Sequence, residues 1–167
     1  MLHTEHSPRG LLRLFLRLPV ALYRLRLGWM LGRRFLLLTH TGRQTGKPHD
    51  TVIEVMRRDA DTGAVMVAAA WGDRADWFRN LQAHPAAKIT MGPKTWAVRA
   101  EVLPVEDGAQ ELYVYATDHP AAFHEIIRLV TGERVEGTMP ECRRLAERIP
   151  IVAFNPTHPE VEEGKTR

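Results

Sequence analysis

The chain has 167 residues, 44% of them apolar and 26% charged, an ordinary composition for a single globular domain. Its one cysteine, Cys142, excludes an internal disulfide and points to a reducing compartment, here the cytoplasm. The net charge of +3 is unevenly spread: residues 1–49 carry nine Arg or Lys against one acid, Glu5, which leaves the rest net acidic and points to an anionic partner for the first part.

In chain order, Gly10 to Gly32 reads as helical. Arg9, Arg13 and Arg17 recur every four residues on one face, with Leu11, Leu14, Phe15 and Leu18 around them. Pro19 breaks the stretch or opens a second helix, and Tyr23, Leu27 and Met30 continue an apolar stripe. Arginines interrupt Leu11–Met30, so no run approaches the ~20 apolar residues that span a bilayer. No small-residue cleavage site follows it. A basic helix of this kind suits an anionic membrane surface; the alternative is a helix laid over the core with solvated arginines.

Phe35–His40 reads as a buried strand and Thr41–Pro48 as a loop punctuated by Gly42, Gly46 and Pro48. Asp50–Arg57 alternates as a strand, Asp59–Gly63 turns, and Ala64–Ala70 is an apolar strand buried on both faces. Trp71–Ala75 is a short loop, and Asp76 is an N-cap for a helix through Ala83. Strands Ala87–Met91 and Thr95–Val105 follow, then helices near Ala109–Thr117, Pro120–Thr131 and Pro140–Arg148, and a closing strand Ile151–Phe154. The chain divides into a basic helical segment 1–32, a domain 33–155 and a tail 156–167. Strands joined by short turns favour antiparallel pairing, and with inserted helices they predict an α+β closed or split barrel.

Two stretches carry chemistry. In Thr41–His49 an apolar strand feeds a loop with Arg43, Lys47, a titratable His49, and hydroxyls at Thr41 and Thr45. Glycines let backbone N–H groups approach an anion, and Arg43 can bind phosphate or carboxylate through two bonds. A solvated basic hairpin turn is the other reading. A nucleotide P-loop is excluded: three residues separate the glycines, Pro48 replaces the Ser or Thr, and a strand follows. In the second stretch, Ala69 and Ala70 leave room for a planar group, and the loop Trp71-Gly72 with the following helix start could cradle another part of an anion. Trp77 and Phe78 also fit as core anchors. The eight histidines show no metal-ligand spacing.

With their separation, Thr39-His40-Thr41-Gly42-Arg43-Gln44-Thr45-Gly46-Lys47-Pro48 and Trp77-Phe78-Arg79-Asn80-Leu81-Gln82-Ala83-His84-Pro85 resemble the deazaflavin-dependent nitroreductase family over roughly residues 33–155. The resemblance implies a split β-barrel related to flavin-binding barrels, mostly antiparallel with peripheral helices. It also implies coenzyme F-420, with its phosphate and oligoglutamate tail at the basic loop. By position the resemblance carries over Arg43, Thr45, Gly46 and Pro48; the candidate cofactor-binding set adds Thr41, Gly42, Gln44, Lys47 and His49 from the loop, with Ala69, Ala70, Trp71, Gly72, Trp77 and Asn80 from the second stretch. Gln44 and His49 depart from commonly basic positions, while Lys47 adds a charge.

The implied reaction is hydride transfer to a quinone, nitroaromatic or activated alkene, for which no catalytic acid or base stands out. Substrate-pocket candidates are Tyr23, Trp29, Tyr113, Tyr115, His119 and His124. Competing readings are a split barrel using FMN or a tetrapyrrole, which would need less positive charge, and a non-catalytic lipid or cofactor-binding module. The resemblance also implies a homodimer and, for some members, attachment to the inner face of the membrane. No nucleic-acid motif is present.

Overall fold

The computed structural model describes residues 34–157. The readings that fall on residues 1–32, Tyr23 and Trp29 among them, and most of the tail lie outside the described residues.

Seven strands form one antiparallel sheet: β1 (Phe35–Thr41), β2 (Pro48–Glu54), β3 (Arg57–Arg58), β4 (Val65–Ala68), β5 (Ala86–Met91), β6 (Lys94–Val102) and β7 (Ile151–Pro156). Helix α1 (Asp76–Ala83) separates β4 from β5. Helices α2 (Val105–Asp118), α3 (Pro120–Thr131) and α4 (Met139–Ala146) separate β6 from β7. The order across the sheet is β2-β1-β5-β6-β7-β4-β3.

The two edge strands are neighbours in sequence. Only Val55 and Met56 separate β2 from β3. The Val55 amide donates to the Arg34 carbonyl at 2.8 Å, and the Met56 amide donates to Met66 at 2.9 Å. One continuous segment thus serves both edges of the sheet and curls it into a split barrel. The expected uninterrupted strand Asp50–Arg57 divides here because its halves pair with different partners.

Alternation sorts the side chains into two cores. Leu36 and Leu38 of β1, Val65 and Val67 of β4, and Val152 and Phe154 of β7 point into the barrel, where Phe78 and Leu81 of α1 join them. Met66, Ile151 and Ala153 point the other way, against Leu112, Phe123 and Leu145 of the helices. β4 is apolar throughout because both its faces are covered, as its composition implies.

Several boundaries differ from the sequence reading. Asp76 does not cap α1; Ala75 holds that position, and Asp76 sits in the first turn with its carboxylate engaged elsewhere. β6 ends at Val102, and α2 begins at Val105 behind Pro104, with Glu106 and Asp107 at the positive end of its dipole. A 3-10 turn, Gly72–Arg74, occupies the Trp71–Ala75 loop. α4 starts in a Thr138–Glu141 capping box.

Candidate anion-binding site

The β1–β2 hairpin ends in the 42–47 loop. Its shape is fixed from within: the Gly42 amide donates to the Lys47 carbonyl and the Gly46 amide to the Gly42 carbonyl, both at 2.8 Å. Gly46 takes a φ of 66°, which glycine adopts without strain. A Cβ at Gly42 would lie 2.7 Å from His49 Nε2 and from Thr45 Oγ1, so any side chain there would have to displace both.

The loop is anchored to α1 through Asn80, which is 5% exposed. Asn80 Oδ1 accepts the Arg43 backbone N–H at 3.0 Å and Arg43 Nη1 at 2.8 Å. Arg43 Nη2 also donates to Asp76 Oδ1 at 3.1 Å. Because the carbonyl side of Asn80 is occupied, its NH₂ faces His40 Nδ1 at 3.1 Å and donates to it. His40, 3% exposed, then carries its proton on Nε2 and donates to Thr51 Oγ1 at 3.3 Å. His49 stacks on His40 with ring centroids 5.9 Å apart. Burial and the neighbouring His49 lower the His40 pKa from its ordinary 6.5, against a smaller opposing pull from Asp50 and Asp76.

The residues expected to bind a cofactor fall into two groups. The loop residues and the α1 residues Trp77 and Asn80 come together, and most of them line a cleft of about 320 Å³ with His40, Asp50, Thr51 and Asp76. Gln44, Thr45 and His49 are exposed along it, and Lys47 is exposed on the loop outside its lining. The backbone N–H groups of Gln44 and Thr45 have no partner among the described residues. Arg43 differs from the expectation of a free fork: two of its guanidinium nitrogens already hold Asn80 and Asp76. Ala69, Ala70, Trp71 and Gly72 are not in this cleft. The Ala69 amide donates to the Pro150 carbonyl, Ala69 is fully buried, and Gly72 lies against Arg148 and Pro150. Trp71 is 49% exposed.

The substrate-pocket candidates lie elsewhere. The Tyr115 hydroxyl donates to Glu54 Oε1 at 3.3 Å, at the far end of β2, about 20 Å from Pro48 at the rise of a strand. Burial, with Glu54 beside it, pushes the Tyr115 phenol up to about 12. His119 packs on Tyr115 and His124 on Phe123, while Tyr113 is exposed. None of the four lines the cleft.

Sequence reasoning passed over His40, Thr51 and Asp76. The signal for His40 was strand parity: it shares the inward face with Leu36 and Leu38, so a histidine there needs buried partners. No group of His, Cys, Asp and Glu among the described residues could hold a metal ion.

The donor set fits an acidic cofactor tail. It offers two backbone N–H groups, a lysine, an anchored arginine and a histidine around a glycine turn, with the half-buried ring of Trp77 at its side. A family model described as F420H(2)-dependent quinone reductase matches residues 16–129. An F420H(2)-dependent quinone reductase of Mycobacterium tuberculosis is 36% identical over 74 residues, 43% of this chain and 48% of that protein. The chain thus matches about half the length of that relative. A solved structure titled as an F420-H2 dependent reductase, FDR-A, superposes with a TM-score of 0.51 at 20% identity, covering 74% of this chain and 96% of that one. A pyridoxamine 5'-phosphate oxidase-related, FMN binding protein of Nostoc punctiforme superposes with a TM-score of 0.50 at 16% identity, covering 92% and 83%. At these identities the two structures establish the split-barrel fold alone. The family model spans well over half of the chain, and the chain belongs to the F420H(2)-dependent quinone reductase family.

Proposed function

We propose that the protein is an oxidoreductase that uses reduced coenzyme F-420 to reduce a quinone, nitroaromatic or activated alkene. The observation that carries this reading is the glycine turn, with exposed Lys47 and the Gln44 and Thr45 N–H groups that have no partner among the described residues, facing α1 across the cleft. When bound, the cofactor supplies a hydride carrier. The chain's own work is binding and orientation. Lys47, His49 and the Gln44 and Thr45 amides meet the anionic tail. Asn80 and Asp76 hold Arg43 at the loop's base. Trp77 offers an apolar edge to a flat ring.

The test is titration of cofactor-free protein with F-420, FMN and haem in parallel, followed by absorbance and fluorescence. Saturable binding of F-420 alone is expected, weakened at least tenfold in the Arg43→Ala/Lys47→Ala double variant, since each lost charge-assisted bond contributes about 1.5–3 kcal/mol. Binding of FMN or haem instead would keep the fold and overturn the function. Tight F-420 binding without any hydride transfer would favour a binding module.

We also propose that the protein acts in the cytoplasm at the inner membrane surface. The support is the charge of residues 1–32 and the lipophilic character of quinones. Anionic liposomes should float the full chain and leave behind a form lacking residues 1–32. Equal flotation of both forms removes this claim. A homodimer is proposed with it, and sedimentation showing only monomer would end that part.

A further inference from the structure

We propose that His40 is a positioning residue for the anion-binding loop: its unprotonated Nδ1 fixes the orientation of the Asn80 amide, which in turn presents its carbonyl to Arg43. The inference rests on the F-420 reading for its ligand and on geometry for its mechanism. Every contact in the chain has one polarity. Arg43 can only donate, so Asn80 must show it Oδ1. Asn80 then shows Nδ2 to His40, which must accept at Nδ1. Thr51 Oγ1 takes the Nε2 proton.

Protonation of His40 places an N–H at Nδ1, donor against donor. The Asn80 amide must then rotate, and its NH₂ meets the Arg43 backbone N–H and Nη1 instead of a carbonyl meeting them. The loop loses both bonds that tie it to Asn80 and keeps only the exposed Arg43–Asp76 pair on α1. The charged and titratable groups acting on His40 are His49 and Asp50 on β2 and Asp76 on α1; burial and His49 outweigh the two carboxylates. The neutral form is therefore the folded ground state, and protonation enters below the ordinary histidine range.

The relay makes a prediction of unusual sign. With no relay, any positive charge gained at acid pH would only tighten anion binding. With it, acid pH loosens the loop. F-420 affinity should fall as the pH is lowered from 7.5 to 5.0, because the loop that binds the anion requires unprotonated His40. His40→Asn keeps an acceptor near the Nδ1 position but does not titrate, so its affinity should stay level or rise over the same range. Parallel pH profiles for the two proteins would overturn the relay. A second readout, ¹⁵N NMR of the Asn80 side-chain amide and the Gly42 and Gly46 amides, separates the relay from the cofactor reading. If F-420 binds neither protein at either pH, the cofactor reading fails. The relay then stands if those amides titrate together with the His40 ring, and falls if they do not move.

Discussion

Asn80→Leu should destabilise the protein by about 2–3 kcal/mol and weaken F-420 binding more than tenfold. The substitution is close to isosteric, so packing against the barrel core changes little. What it removes is an acceptor used twice by Arg43 and a donor used by His40. Asn80, 5% exposed, and His40, 3% exposed, are buried, while the Arg43 side chain is 22% exposed. A buried polar group left without a partner costs more than the bond itself contributed. The Arg43 side chain can turn toward water, but its backbone N–H cannot, so the loop must shift to satisfy it. Chemical denaturation measures the first effect and F-420 titration the second. A stable variant that binds normally would mean that the loop holds its shape through Gly42, Gly46 and Lys47 alone. Asn80→Asp gives a contrasting result: the carboxylate still accepts from Arg43 but cannot donate to His40, so His40 should gain a proton more readily.

Phe154→Ala should cost about 3–5 kcal/mol, the range for emptying a buried aromatic site. Phe154 is fully buried in the middle of β7, with Val65 and Ala100 as its partners on either side. β7 lies between β6 and β4, so its neighbours cannot collapse inward without moving both ladders. For a chain of this length that loss lowers the melting temperature by roughly 10 °C. Leu129→Ala, at a site 76% exposed, should change stability by less than about 0.5 kcal/mol. Equal melting shifts for the two variants would show that the barrel core is not where the stability resides.

How far the sequence could be read is visible in particular elements. β1 was legible because Leu36, Leu38 and their neighbours form an apolar run with a clear glycine stop. α3 was legible because Pro120 and Gly132 mark its ends. The two faces of β4 were legible from its unbroken apolar character. The bend at Val55–Met56 was not, because nothing local distinguishes one strand from a strand whose halves pair with opposite sheet edges. The same holds at the site. Asp76 looks like a cap from its neighbours in sequence, yet its carboxylate goes to Arg43, thirty-three residues away.

The sequence by itself determined the elements, the glycine turn, the excess of positive charge before residue 49 and the motif pair that points to the family. These are properties of short windows: periodicity, backbone permissiveness and charge. Tertiary structure alone decided which charges are available. It placed the 42–47 loop over α1, bound the Arg43 fork to Asn80 and Asp76, left Lys47 in solvent, and moved Tyr115 and His119 to the other end of β2. It also aligned His40, Asn80 and Arg43 in one polarised chain. Hydrogen bonds between residues about 40 positions apart depend on how the sheet closes, and no local pattern encodes that closure.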